Sequence, residues 1–165
     1  RALIDGDVVQ VGPASGHVLD VPGHTVGHIA FYFPDSALAF TADSLMAGGC
    51  GRLFEGTPDQ MFHSLSKLAV LPPETLICSG HEYTAANLRF AATVDPENEA
   101  LKSRVARVAL ANTENRPTVP SRLSGELATN PFLRANSPHI KSILNQPNAT
   151  DAETFAALRA LKDKF

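Results

Sequence analysis

The stretch HIAFYFPDSALAFTADSL spans residues 28–45. His28 to Phe33 and Ala37 to Thr41 read as short strands, joined by the hairpin-like connection Pro34-Asp35-Ser36. Upstream, Val8 to Val11 and His17 to Val21 read as further brief strands. Downstream, the pattern changes to a helix with a clear start. Thr57 is the N-cap, Pro58 takes the first helical position, and Gln60 closes a capping box. Met61, Leu65, Leu68 and Leu71 recur at three and four residues and mark one buried stripe, which Pro72-Pro73 ends. Thr75 to Cys78 then reads as a buried strand.

From Tyr83 onward the pattern is helical. One helix is expected from about Thr84 to Val94, ending before Asp95-Pro96. A second is expected from about Glu97 to Asn115, with Leu101, Val105, Val108 and Leu110 on its inner face. Arg116 to Pro147 carries five prolines and allows only short helices. Thr150 and Glu153 form another capping box before a last helix holding Phe155, Leu158 and Leu161. The expected architecture is α/β over residues 1–82, followed by a small α-helical domain over 83–165.

Composition narrows the function. With 165 residues, 44% of them hydrophobic, the chain can bury a core. A net charge of −3 gives no basic footprint for nucleic acid. No run of 18 apolar residues is present, so a membrane-spanning helix is not expected. Cys50 and Cys78 are too few and too irregularly placed for a disulfide framework or a zinc ribbon. Both read as small buried residues of a reducing compartment.

Three clusters lie where strands end: PGHTVGH at 22–28, FTADSL at 40–45 and SGHEY at 79–83. Such loops are where α/β folds place reactive groups, because the backbone is fixed while the side chain reaches a cleft. His24, Asp43 and His81 are suitable ligands for zinc, iron or manganese. Taken singly, His24 also reads as a turn residue, Asp43 as a turn cap and His81 as a loop residue.

The order PGHT-x-GH, FTADSL, CGRLFEG, GHEYT and NPFLR resembles the metallo-β-lactamase superfamily, and within it the hydroxyacylglutathione hydrolase (glyoxalase II) family. The resemblance runs from about Val21 to Phe165. It implies the C-terminal half of an αββα sandwich carrying a helical substrate-binding domain. It also implies a site for two divalent ions, zinc foremost, with His24 on one, His81 on the other and Asp43 bridging. His28 matches a position that supports the site without ligating. Arg52, Leu53, Phe54, Tyr83 and Arg134 are implied in holding glutathione, with Lys141 as a candidate second basic contact.

The implied reaction is hydrolysis of S-D-lactoylglutathione by a metal-bridged hydroxide, giving glutathione and D-lactate in cytoplasmic methylglyoxal detoxification. The family's His-x-His-x-Asp-His motif occurs nowhere in this chain. Since stable zinc sites use three or four protein ligands, the chain alone is expected to hold metal poorly and to be inactive, with the missing N-terminal half as its partner. Two alternatives stay open at this point: a persulfide dioxygenase-like relative with one iron, and a non-catalytic fragment that binds glutathione.

Overall fold

The structure, a computed structural model, describes residues 1–165. Strands β1 (Val8–Val11), β2 (Ala14–Asp20), β3 (Ile29–Phe33) and β4 (Leu38–Ala42) form an antiparallel meander. The chain then makes a small hairpin, β5 (Leu45–Met46) and β6 (Gly49–Cys50), before helix α1 (Pro58–Ala69). That helix lies in the crossover a parallel pair requires, because β7 (Leu76–Ser79) joins β4 in parallel. A two-residue strand, β8 (Ser121–Arg122), closes the edge, giving the order β1-β2-β3-β4-β7-β8.

Register divides the sheet into two apolar faces, since directly opposed residues share a face. Tyr32 with Ala39, and Leu19 with Ala30, face the helices. There Ala30, Ala39 and Ile77 pack with Met61, Leu65 and Leu68 of α1. The same core takes Phe90, Leu123, Phe132, Phe155 and Leu158 from the helical part, so one core crosses the middle of the chain. On the opposite face, Val9, Val11, Phe31, Phe33, Leu38 and Phe40 line an open apolar trough of 520 Å³. The sheet thus carries apolar side chains on both faces and helices on one.

The α1 capping box forms as expected: Thr57 N–H donates to Gln60 Oε1 at 2.9 Å and Gln60 N–H to Thr57 Oγ1 at 3.2 Å. Helix α2 (Thr84–Val94) also falls where expected. Helix α3 (Glu99–Thr113) starts later than expected, because Asn98 Oδ1 caps it by accepting from Leu101 N–H. Its buried stripe is Leu101, Arg104, Val108 and Ala111, whereas Val105 and Leu110 are 37% and 55% exposed. An α-helix turns 3.6 residues at a time, and Arg104 belongs to the inner stripe although it is charged.

Residues 116–147 contain α4 (Leu123–Thr129), a 3-10 turn at Pro131–Leu133 and α5 (Pro138–Ile143). In the last helix, α6 (Asp151–Lys164), Phe155 and Leu158 are buried as expected, but Leu161 is exposed and Arg159 is buried in its place. No helix is long and apolar enough to cross a membrane.

A buried polar network ties the β5–β6 hairpin to the helical part. Glu126 accepts from Arg104, from Ser121 Oγ at 2.6 Å, from Gly48 N–H at 2.8 Å and from Asn130 Nδ2 at 3.1 Å. Asn130 Nδ2 also reaches the carbonyls of Gly49 at 3.0 Å and Met46 at 3.3 Å. The hairpin leads directly into Cys50, Gly51 and Arg52, so this network sets the position of the loop beside the site.

Candidate metal centre and adjoining cavity

Asp43 follows β4 after a left-handed residue, Ala42 at φ +44°. That conformation costs a residue with a β-carbon about 1–2 kcal/mol, and it turns the chain sharply out of the sheet. The Asp43 N–H is held by His28 Nε2 at 3.2 Å. Accepting that bond requires an unprotonated Nε2, and burial foremost holds the His28 pKa below its ordinary value. His28 therefore positions the aspartate from behind.

The carboxylate stands between two histidines. His24 Nε2 lies 3.6 Å from Oδ2, and His81 Nε2 lies 3.5 Å from Oδ1. His24 Nδ1 is 2.8 Å from the Arg52 carbonyl, which can only accept, so Nδ1 carries the proton and Nε2 offers a lone pair. Its ring is wedged by Phe54, with centroids 4.9 Å apart. His81 stacks on Tyr83 at 4.9 Å and 10°.

Two glycines allow this crowding. A β-carbon at Gly51 would stand 2.0 Å from the Asp43 carbonyl oxygen, and one at Gly80 would stand 2.8 Å from Asp43 Oδ1. Oδ1 is itself buried without a hydrogen-bond partner. Buried polar atoms are rarely left so, and an orphaned carboxylate oxygen 3.5 Å from the His81 ring nitrogen leaves room for a cation between them. The donors thus fit metal ions, but incompletely. No three His, Cys, Asp or Glu side chains converge on one point, and each Asp43 oxygen faces a single histidine.

The three residues line a 620 Å³ cavity together with Arg52, Phe54, Tyr83, Arg89, Arg159 and Lys162. Burial and the neighbouring arginines Arg159, Arg89 and Arg52 hold the Lys162 pKa below its ordinary value. Cations gathered this closely repel one another, and an anion entering between them relieves that repulsion. Arg159 is 3% exposed and donates to the carbonyls of Cys50 at 3.0 Å and Gly51 at 3.4 Å.

Part of the expected binding set lies away from this cavity. Arg134 does not line the cavity: its guanidinium is paired with Asp95 at 3.2 Å. Leu53 packs against the core instead of lining the cavity, because its neighbours Arg52 and Phe54 face the opening. Lys141 is held by Asp151 at 2.8 Å, away from the cavity. Arg89, Arg159 and Lys162 were missed. The available signal was Arg159 and Lys162 three apart on the helix that also carries the buried Phe155 and Leu158.

Comparison with known proteins agrees with this architecture. The family model of the metallo-beta-lactamase superfamily matches residues 1–81, which defines the class of the sheet and its metal-facing loops. The model described as hydroxyacylglutathione hydrolase C-terminus matches residues 82–165. The chain belongs to the hydroxyacylglutathione hydrolase family.

A protein named hydroxyacylglutathione hydrolase from Cereibacter sphaeroides is 62% identical over 163 residues, covering 99% of this chain and 64% of that protein. Its namesakes from Ruegeria pomeroyi and Jannaschia sp. are 62% and 57% identical over 164 and 165 residues. The chain spans 64% of the length of each of these curated relatives. Among solved structures, ETHE1 from Myxococcus xanthus superposes with a TM-score of 0.56 at 25% identity, over 97% of this chain and 58% of that one. A metallo-beta-lactamase from Staphylococcus aureus does so at 0.58 and 21% identity, over 98% and 43%, and shows the fold alone.

Proposed function

We propose that this chain is the larger part of a metal-dependent thioesterase that cleaves S-(2-hydroxyacyl)glutathione, S-D-lactoylglutathione in particular. Water adds to the acyl carbon, the carbon–sulfur bond breaks, and glutathione leaves with a 2-hydroxy acid as the second product, the hydrolytic step of methylglyoxal detoxification. The observation that carries this reading is Asp43, with one histidine beside each carboxylate oxygen, in the lining of a cationic cavity. The names of the relatives and the matched C-terminal region support it.

In this reading His24, His81 and Asp43 would hold divalent ions, with zinc the proposed metal and iron or manganese accepted by the same donors. Divalent ions there would acidify water towards neutrality and polarise the thioester carbonyl. The rest falls to the protein. Arg52, Arg89 and Lys162 attract the two carboxylates of glutathione, and Phe54 and Tyr83 flank its sulfur end. A thiol of pKa near ~8.5 leaves as thiolate without a general acid. The two free cysteines, Cys50 and Cys78, support a reducing, cytoplasmic setting.

Each ion would receive only two donor atoms from this chain, below the three or four of a stable zinc site. We therefore propose that the remaining donors come from outside it, and that the chain alone binds glutathione without turnover. The test is thiol release from S-D-lactoylglutathione with added zinc, alongside calorimetric titration of the chain with glutathione. The expected result is saturable binding, weakened in Lys162→Ala, with no thiol released. Turnover by this chain alone overturns the incomplete centre, and failure to bind glutathione overturns the assigned substrate.

A further inference from the structure

Residues 81–84 form a wall with two sides. His81 and Tyr83 line the cavity of the candidate metal centre, whereas Thr84 lines a second cleft of 430 Å³ behind it. Glu82 braces that second side by accepting from the N–H and hydroxyl of Thr118.

All the charged side chains that line the cleft are cations. Four of the chain's nine arginines line it, namely Arg104, Arg107, Arg116 and Arg122, and no carboxylate side chain does. Two of them are already compensated: Arg104 is paired with buried Glu126, and Arg116 with Glu114 at 2.5 Å. Arg107 donates to a neutral partner, Ser103 Oγ, at 2.7 Å, and Arg122 makes no ion pair. Two positive charges therefore stand uncompensated in a chain whose net charge is −3.

A second observation is independent of charge. Thr84 is 2% exposed, lines the cleft, and its hydroxyl has no hydrogen-bond partner. A buried hydroxyl left without a partner is costly unless something bound there supplies the bond. Ser124 and Gly125 line the opposite wall, and a β-carbon at Gly125 would meet nothing within 4 Å, so the space is open.

We propose that this cleft is a second ligand site, separate from the thioester cavity, for a small oxyanion carrying two or more charges. Its recognition rests on the forked N–H groups of Arg107 and Arg122, which match the paired oxygens of a phosphate or carboxylate, and on the Thr84 hydroxyl. Arg104, held in its network, forms a fixed cationic floor. A phosphate group and a dicarboxylate share this chemistry, and the probes separate them.

The experiment is calorimetric titration of the chain with inorganic phosphate and, separately, with succinate. At least one probe is expected to bind saturably at one site. Its affinity is expected to fall at least about tenfold in Arg107→Ala/Arg122→Ala and severalfold in Thr84→Val, which keeps the shape and removes the hydroxyl. Circular dichroism checks that both variants fold. Lys162→Ala, in the other cavity, is expected to leave binding of the probe unchanged. Whichever probe binds more tightly identifies the anion class. The proposal is overturned if neither probe binds saturably, if the double arginine variant binds as the wild type does, or if the loss appears in Lys162→Ala instead.

Discussion

Replacing Glu126 by alanine removes a carboxylate with no solvent exposure and four hydrogen-bond donors around it. The largest loss falls on Arg104, 7% exposed, which keeps its bonds to Thr129 Oγ1 and the Gly125 carbonyl but loses its counter-charge. Removing one partner of a buried ion pair costs about 3–5 kcal/mol. In a chain of 165 residues each kcal/mol moves the midpoint of thermal unfolding by about 2–4 °C, so Glu126→Ala is expected to lower Tm by about 6–20 °C.

Adding Arg104→Met to Glu126→Ala removes the stranded cation and should recover part of the stability, giving a coupling of about 1–3 kcal/mol between the two sites. Recovery should stop short of the wild type, because Gly48 N–H and Asn130 Nδ2 still lose an acceptor. Thermal unfolding followed by far-ultraviolet circular dichroism on the four proteins measures the cycle. A Glu126→Ala protein within about 1 kcal/mol of the wild type, or strictly additive losses, would show that Arg104 does not depend on Glu126 as its counter-charge.

Four further outcomes follow from the same structure. Gly51→Ala forces a β-carbon against the Asp43 carbonyl oxygen and within 3.1 Å of His24 Nδ1, and should cost about 1–3 kcal/mol in urea unfolding. Asp43→Asn should leave the metal-free protein as stable as the wild type or more so, since Oδ1 already lacks a partner, while abolishing any rise in Tm on adding zinc; an unchanged zinc response would remove Asp43 from the ligand set. Burial pushes the Cys50 thiol from 9.0 up to about 11, so between those pH values the unfolded chain releases a proton that the folded chain keeps. Stability should therefore fall as pH rises through that window, and native Cys50 should resist a thiol reagent that labels the unfolded chain at once. Thr57→Ala removes the acceptor for Gln60 N–H at the start of α1 and should cost about 1 kcal/mol, read from the same unfolding curves.

Features set by a few neighbouring residues were legible in the sequence. The Thr57–Gln60 and Thr150–Glu153 capping boxes need four residues each, and both form. His24, Asp43 and His81 were found because each follows a strand, and the sheet then brings the three together. What was not legible depended on partners far apart in the chain. Arg104 interrupts the apolar stripe of α3, and an apolar-only reading moved that stripe onto Val105 and Leu110. Its partner Glu126 is 22 residues away and on another helix. Arg134 failed for the same reason: nothing near it shows that Asp95, 39 residues upstream, takes its guanidinium. A charged residue on an otherwise buried stripe, as at Arg104 and Arg159, is better read as half of a long-range polar contact than as a break in the stripe.

Those long-range contacts also determine how the cavity is held. His24, Asp43 and His81 come from loops of the sheet, while Arg89, Arg159 and Lys162 come from helices α2 and α6. The two groups do not sit on bodies free to hinge, because Phe132 and Phe155 share a core with Met61 and Leu65, and Arg159 is bonded to the backbone of residues 50 and 51. The Arg52 carbonyl in turn receives His24 Nδ1–H. A continuous path of bonded atoms therefore runs from α6 through the 50–52 loop to the imidazole facing Asp43. Catalytic sites lose rate steeply when a group moves by about 1 Å, so a shift of α6 should be felt at His24 although the two never touch. The residues that stabilise the helical part and those that fix the His24 imidazole are then the same residues.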